Sequence, residues 1–300
     1  MTSSRSLTTT DEIDGDVFVH PVYLAGSRYT GDFALKPLFD RGFDGRHDDL
    51  GNYYLTAPDG RVRVGFIPEQ EWDTLWKIAV YRNAFSAPQW GANFSDDTPT
   101  EIVTAVTAEI AQMYREDDDV WLDERPARAS EWFAPYTTAD WTPQLADRGA
   151  TTLVSPDGLA NVTHHLLPLG PEDAEQAGQD GRYYIGTTTR TGWYGRLSSA
   201  TPARVLHAIT AAMLATEPVV RYRGELTHFT EHQAAVAPIV PAPPSPLDVQ
   251  RSLAAKTRSR QRIVPIAVPS TATRLAWTTA TPGCPGQSAR TRTSNSTPKR

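Results

Sequence analysis

The chain has 300 residues, 39% of them apolar and 21% charged, with a net charge of −6, one cysteine and eight tryptophans. That length allows about two ordinary domains, and the lone Cys284 excludes an internal disulfide framework and points to a reducing compartment. The Ser/Thr-rich and then acidic start lacks an apolar signal core, and no stretch approaches a membrane span, so the expectation is a cytoplasmic protein with no membrane partner.

Residues 1–16 read as a disordered leader. Val17-Phe18-Val19 is a short β-rich run ended by Pro21, followed by a Gly/Asp-rich segment to His47-Asp48-Asp49, read as a solvated loop. Residues 53–56 and the alternating Arg61-Val62-Arg63-Val64-Gly65-Phe66 form strands across Pro58-Asp59-Gly60, in which proline presets φ and glycine supplies a permissive backbone. Strands follow at 75–80 and 90–94, where Trp90, Ala92 and Phe94 share a face. Thr98-Pro99-Thr100-Glu101 then reads as a capping box opening a helix over 99–114, with Ile102, Val103, Val106, Ile110 and Met113 at helical spacing. Residues 116–130 are a charged linker. A second series follows: strands at 151–154, 159–167, 183–189 and 193–197, and a helix beginning at Thr201-Pro202, with Arg204 in the place of Glu101. From Pro238 the chain is rich in Pro, Ser, Thr and Arg and reads as disordered to residue 300, with a short helix allowed near 247–256.

The second series repeats the first. Ala57-Pro58-Asp59-Gly60 returns as Ser155-Pro156-Asp157-Gly158, an offset of 98, and Trp90 with Thr98-Pro99 returns as Trp193 with Thr201-Pro202, an offset of 103. A period near 100 marks duplicated domains, since solenoid repeats are about 20–50 residues long. The expected fold is α+β: two similar tandem domains, 17–115 and 131–217, each an antiparallel sheet of about four strands with a C-terminal helix on one face, and 218–237 as a domain edge. A pseudo-twofold arrangement would make the chain dimer-like within itself.

These landmarks resemble the SPDY domain family, the domain of unknown function DUF317 found mainly in filamentous actinobacteria and often in tandem. The resemblance extends over residues 17–217, although copy one has alanine for the serine of the Ser-Pro-Asp-Tyr signature and both copies end in glycine. It implies a class with no established activity and supplies no catalytic residues.

Several constellations invite chemistry. His47-Asp48-Asp49 could hold a divalent metal or move a proton only on a loop, and only in copy one, because Leu145, Ala146 and Asp147 stand at the matching places. His164-His165 lies on a strand, where neighbouring side chains diverge, so one ring should face solvent. Trp90 and Trp193 read as equivalent core residues, whereas Trp72, Trp121, Trp132 or Trp141 could line an interdomain cleft. No hydrolase, P-loop or dinucleotide-binding motif occurs.

Charge is unevenly placed: residues 238–300 hold 10 of the 29 basic residues and one of the 35 acidic, Asp248, so the tail is +9 and residues 1–237 are −15. An acidic body repels phosphate, which locates expected nucleic-acid contact in the tail at Arg251, Lys256, Arg258, Arg260 and Arg262. No catalytic, cofactor-binding or metal residue is assigned. The leading expectation is a non-catalytic binding or regulatory module with an unknown protein or nucleic-acid partner. The alternatives are a nucleic-acid-associated protein acting through the tail, and an enzyme of unmarked type with only the first copy active.

Overall fold

The computed structural model describes residues 15–28, 30–68, 74–115, 124–145, 149–166, 181–189 and 192–239, together with 247, 250, 251 and 253. The chain divides into two units, 1–240 and 241–300; the described residues of the second are helical and exposed.

The Pro-Asp-Gly turns form as their sequence requires. Gly60 and Gly158 adopt φ of +74° and +75°, and their amides donate to the Ala57 and Ser155 carbonyls at 2.8 and 2.9 Å. Positive φ is open to glycine without the Cβ clash that other residues meet, so each turn can reverse the chain tightly. The flanking strands are β3 (Tyr53–Thr56) with β4 (Val62–Phe66), and β8 (Ala150–Val154) with β9 (Ala160–His165). Their registers are the same at an offset of 98: Leu55 opposes Val64, and Leu153 opposes Val162.

Each hairpin extends into a five-stranded antiparallel meander. In the first half β2 (Asp44–His47) lies outside β3, and β5 (Thr74–Tyr81) and β6 (Pro88–Ser95) follow β4. In the second half β7 (Thr142–Leu145) lies outside β8, and β10 (Gly181–Thr187) and β11 (Tyr194–Ser198) follow β9. The halves meet at β6 and β11, giving one ten-stranded sheet in the order β2-β3-β4-β5-β6-β11-β10-β9-β8-β7. Arg196 opposes Asn93, flanked by Gly195 opposite Phe94 and Leu197 opposite Ala92. At an offset of 103 the central pair maps onto itself and the flanking pairs exchange, the signature of a local twofold. The Tyr194 amide donates to Ser95 Oγ at 2.8 Å and the Gly91 amide to Ser198 Oγ at 3.1 Å, and these bonds also exchange under that offset.

Helices cover one face. Each meander is preceded by one helix, α1 (Asp32–Phe39) or α3 (Ala129–Thr138), and followed by another, α2 (Thr100–Arg115) or α4 (Ala203–Met213). A single apolar cluster joins Val64, Ile78, Trp90 and Ile110 of the first half to Trp132, Val162, Trp193 and Ile209 of the second. The expected pair of four-stranded sheets is therefore one sheet of ten, and the halves share a core. Pairing β6 with β11 satisfies two strand edges that separate sheets would leave open.

The capping-box expectation is corrected. Thr98 does not cap α2: its hydroxyl donates to the Tyr194 carbonyl across the seam at 3.2 Å and pairs with Ser95 Oγ. Thr201 likewise donates to the Ser198 carbonyl at 2.8 Å, and Pro202 occupies the position before α4. Glu101 turns away from the helix start to meet Arg221, which is 4% exposed, at 2.8 Å.

Val17-Phe18-Val19 joins neither meander. It lies in β1 (Asp16–His20), flanked by β12 (Val219–Tyr222) and β13 (Ala235–Pro238) in a separate three-stranded sheet, beside α5 (His228–Gln233). The first strand of the unit thus pairs with its last, and the expected boundary at residue 238 falls on the end of a strand. Arg221 fastens this small sheet to α2 through Glu101 and to the Ala25 and Gly26 carbonyls.

Candidate functional site

Strand alternation divides the large sheet into two unlike faces. Leu55, Val64, Ile78, Ala92, Leu197 and Tyr183 line up in register on the helix side, and all belong to the apolar cluster. The adjoining row on the other side runs Arg46, Tyr54, Gly65, Lys77, Asn93, Arg196, Tyr184, Thr163 and Thr152, and none of these belongs to it. Arg63 and Tyr194 lie in neighbouring outward positions. Tyr184 and Tyr194 stack with centroids 6.5 Å apart, the Arg196 guanidinium lies 5.0 Å from the Tyr194 ring centre, and that of Arg63 lies 4.7 Å from Tyr81. Against Arg46, Arg63, Lys77 and Arg196, Asp44 is the carboxylate at the outward strand positions among the described residues, and it pairs with Arg46 at 3.3 Å. An acidic body thus carries a cationic, tyrosine-bearing face, whereas the composition had located basic character in the tail.

On the helix side, where β9 and β10 meet the start of α3 and the β11–α4 turn, there is a hollow of about 520 Å³. Arg128, Ala129, His164, Arg182, Tyr183 and Ala200 contribute to its wall. His164 is 7% exposed and its neighbour His165 more open, as divergence along a strand requires. Burial, then the nearby charges of Arg182 and His165, hold the His164 imidazole below its ordinary pKa and favour its neutral form. Arg182 sits at a register shift in β10, between Gly181 and Tyr183; such irregularities re-aim side chains. The Tyr183 hydroxyl donates to the Ala127 carbonyl at 2.8 Å, and its ring meets Trp132 edge-on at 5.1 Å.

The other sequence candidates do not gather into a centre. Asp48 organises its own loop, accepting from the Leu50 and Asn52 amides at 2.9 Å and from Asn52 Nδ2 at 2.8 Å. The Asn52 side chain, above all, lowers its pKa. His47 leaves that loop to pack on Tyr53 at 4.1 Å, and Asp49 is exposed. No group of three His, Cys, Asp or Glu residues positioned to hold a metal occurs among the described residues. Trp132 and Trp141 are buried core residues, as are Trp90 and Trp193, while Trp72 and Trp121 lie outside the described residues. Of the tail candidates, Arg251 is helical and exposed; Lys256, Arg258, Arg260 and Arg262 lie outside the described residues. Sequence reading missed Arg182 and Arg128 because neither belongs to a motif. The adjacent histidines were the one available signal for the hollow.

Residues 56–115 match the family model SPDY, a domain of unknown function (DUF317). The match runs from the end of β3 through α2, a single copy where the resemblance had extended over 17–217. No curated protein and no solved structure matches the chain. Among the described residues, no helix is long and apolar enough to cross a membrane.

Proposed function

We propose that this chain is a non-catalytic binding module of the cytoplasm, built from two copies of the SPDY domain, and that it engages single-stranded nucleic acid through the helix-free face of its ten-stranded sheet. The observation that carries the reading is the outward row in which Arg46, Lys77 and Arg196 stand with Tyr54 and Tyr184. Tyrosine rings offer stacking platforms that tolerate any base, and cations beside them attract the phosphate backbone. A broad sheet face suits a splayed single strand better than a duplex groove.

The two-copy reading is supported by the equal hairpin registers and the exchanging bonds at the β6–β11 seam. A fragment of residues 30–115, with β6 unpaired, should self-associate; a monomeric fragment would count against equivalent halves.

Fluorescence anisotropy of the full chain with a labelled single-stranded oligonucleotide tests the binding reading. Tyr184→Ala should weaken binding by about 1–3 kcal/mol if a base stacks there, and Lys77→Gln should weaken it and flatten its salt dependence. Neutralising Arg251, Lys256, Arg258, Arg260 and Arg262 should change it little. Loss only with the tail variant would favour the tail-mediated alternative, and failure to bind at low salt would remove both.

A further inference from the structure

We propose that the hollow beside the start of α3 is a binding site for a small molecule bearing an oxyanion, a phosphate or carboxylate group, which His164, Arg182 and Arg128 would hold. This inference rests on the helix side of the sheet and is independent of the nucleic-acid reading.

Three observations converge. First, the lining is one-signed among the described residues: it contains two guanidiniums and an imidazole but no carboxylate. Neither Arg128 nor Arg182 forms an ion pair among the described residues, and Glu131, the nearest acid on α3, pairs with Arg125 at 3.0 Å. Arg128 also lies near enough to Glu131 to help lower its pKa, but two guanidiniums around one concavity repel each other and draw in an anion, which planar Arg forks meet well.

Second, His164 is a buried polar group with an incomplete set of partners. Its Nδ1 is sealed from solvent without a hydrogen bond, and Arg182 Nε is in the same state. A proton on Nδ1 would be a buried donor with nothing to accept it, a cost a native interior avoids. The neutral ring therefore carries its hydrogen on Nε2, the nitrogen that is not sealed, and the residue lines the hollow. Arg182 Nε, a buried donor without an acceptor, is where an anionic ligand repays the desolvation already incurred.

Third, the opening turn of α3 forms part of the wall. Arg128 and Ala129 line the hollow, and the Arg128 amide is the one that Glu131 takes, at 3.1 Å. The amide of Ala129 belongs to the first turn, which is electropositive in any helix. The volume of about 520 Å³ exceeds what one oxyanion fills and lies within the ~300–1,000 Å³ usual for small-molecule sites. The anionic group would thus be the anchor of a larger ligand, with Pro126, Ala127 and Ala200 supplying apolar wall.

The test uses the full chain, titrated calorimetrically with inorganic phosphate and separately with acetate, while ¹⁵N-edited spectra follow the His164 ring. Saturable binding of either anion, with a shift of the His164 Nε2 signal, is the expected result; the anion that binds more tightly identifies the anchoring group. Arg128→Gln and Arg182→Gln should each weaken binding on the order of tenfold or more, the worth of a charge-assisted hydrogen bond. Arg125→Gln removes a cation from the same segment but outside the wall, and should leave binding unchanged. Because His164→Asn alters a buried strand position, the exposed Arg128→Gln carries the test if that variant does not fold. Neither anion moving the His164 signal would overturn the site. So would binding that ignores Arg128→Gln and Arg182→Gln, or that depends equally on Arg125, which would mean diffuse attraction rather than a site.

Discussion

The Thr98 hydroxyl is fully buried and donates to the Tyr194 carbonyl, so Thr98→Val leaves that acceptor without its partner inside the seam. We expect a cost of about 1–3 kcal/mol by urea denaturation, with Thr98→Ser much milder because it keeps the donor. Glu101→Gln should cost about 3 kcal/mol, since it strands the buried Arg221 guanidinium without its counter-charge. A capping role would have ranked these two changes the other way. The tryptophans separate on one hydrogen bond: Trp193 Nε1 donates to the Tyr23 carbonyl at 2.7 Å, whereas Trp90 Nε1 is buried without a partner. Trp193→Phe should therefore destabilise more than Trp90→Phe, by about 1 kcal/mol, and either change to Ala should cost about 3–5 kcal/mol. Equal melts for the two phenylalanine variants would contradict this hydrogen-bond account.

At the scale of elements, the two Pro-Asp-Gly turns are matched in conformation but not in surroundings. Either glycine changed to alanine forces a left-handed residue, at about 1–2 kcal/mol. A Cβ at Gly60 would also stand 3.3 Å from Ala84, while one at Gly158 meets open space, so Gly60→Ala should be the worse in thermal melts. The hairpins and the two long helices were legible in the chain because alternation, turn chemistry and a 3.6-residue period all coincide there. The strands β2 and β7 were not: Asp-Gly-Arg-His and Thr-Pro-Gln-Leu lack an alternating apolar pattern. Helices α1 and α3 were not legible either: each runs through an internal proline, Pro37 or Pro135, a residue that normally interrupts a helix. The seam was hidden for another reason, since its bonds join residues 99 and 107 positions apart.

For the whole molecule, His164 ties stability to pH. Its folded pKa lies below the ordinary imidazole value of about 6.5, so below that value the unfolded chain binds the extra proton more readily than the folded one. Stability from this group is fully present above pH 6.5 and is lost as pH falls from there through the folded pKa. Chemical denaturation across that range should show the decline, and His164→Gln should flatten it; an unchanged slope would mean that other groups govern acid sensitivity. The division after Val240 predicts that a chain ending there retains the melting behaviour of the full protein. Ending it before Ala235 should destabilise it, because β13 pairs with the first strand, β1.

Alternation at Val62 and Val64, the paired Pro-Asp-Gly turns, and the spacing of Ile102, Val106 and Ile110 are local patterns. They determined the α+β class, the meander strands and the helices that follow them, because each arises from steric and apolar preferences within a few residues. The fusion of the halves into one sheet, the turning of Thr98 and Glu101 from a cap to the seam and to Arg221, and the gathering of His164, Arg182 and Arg128 around one hollow were decided by tertiary structure alone. Each depends on groups distant in sequence, brought together only when burying the shared apolar face fixes the register of β6 against β11 and the seat of α3 against β8 and α4.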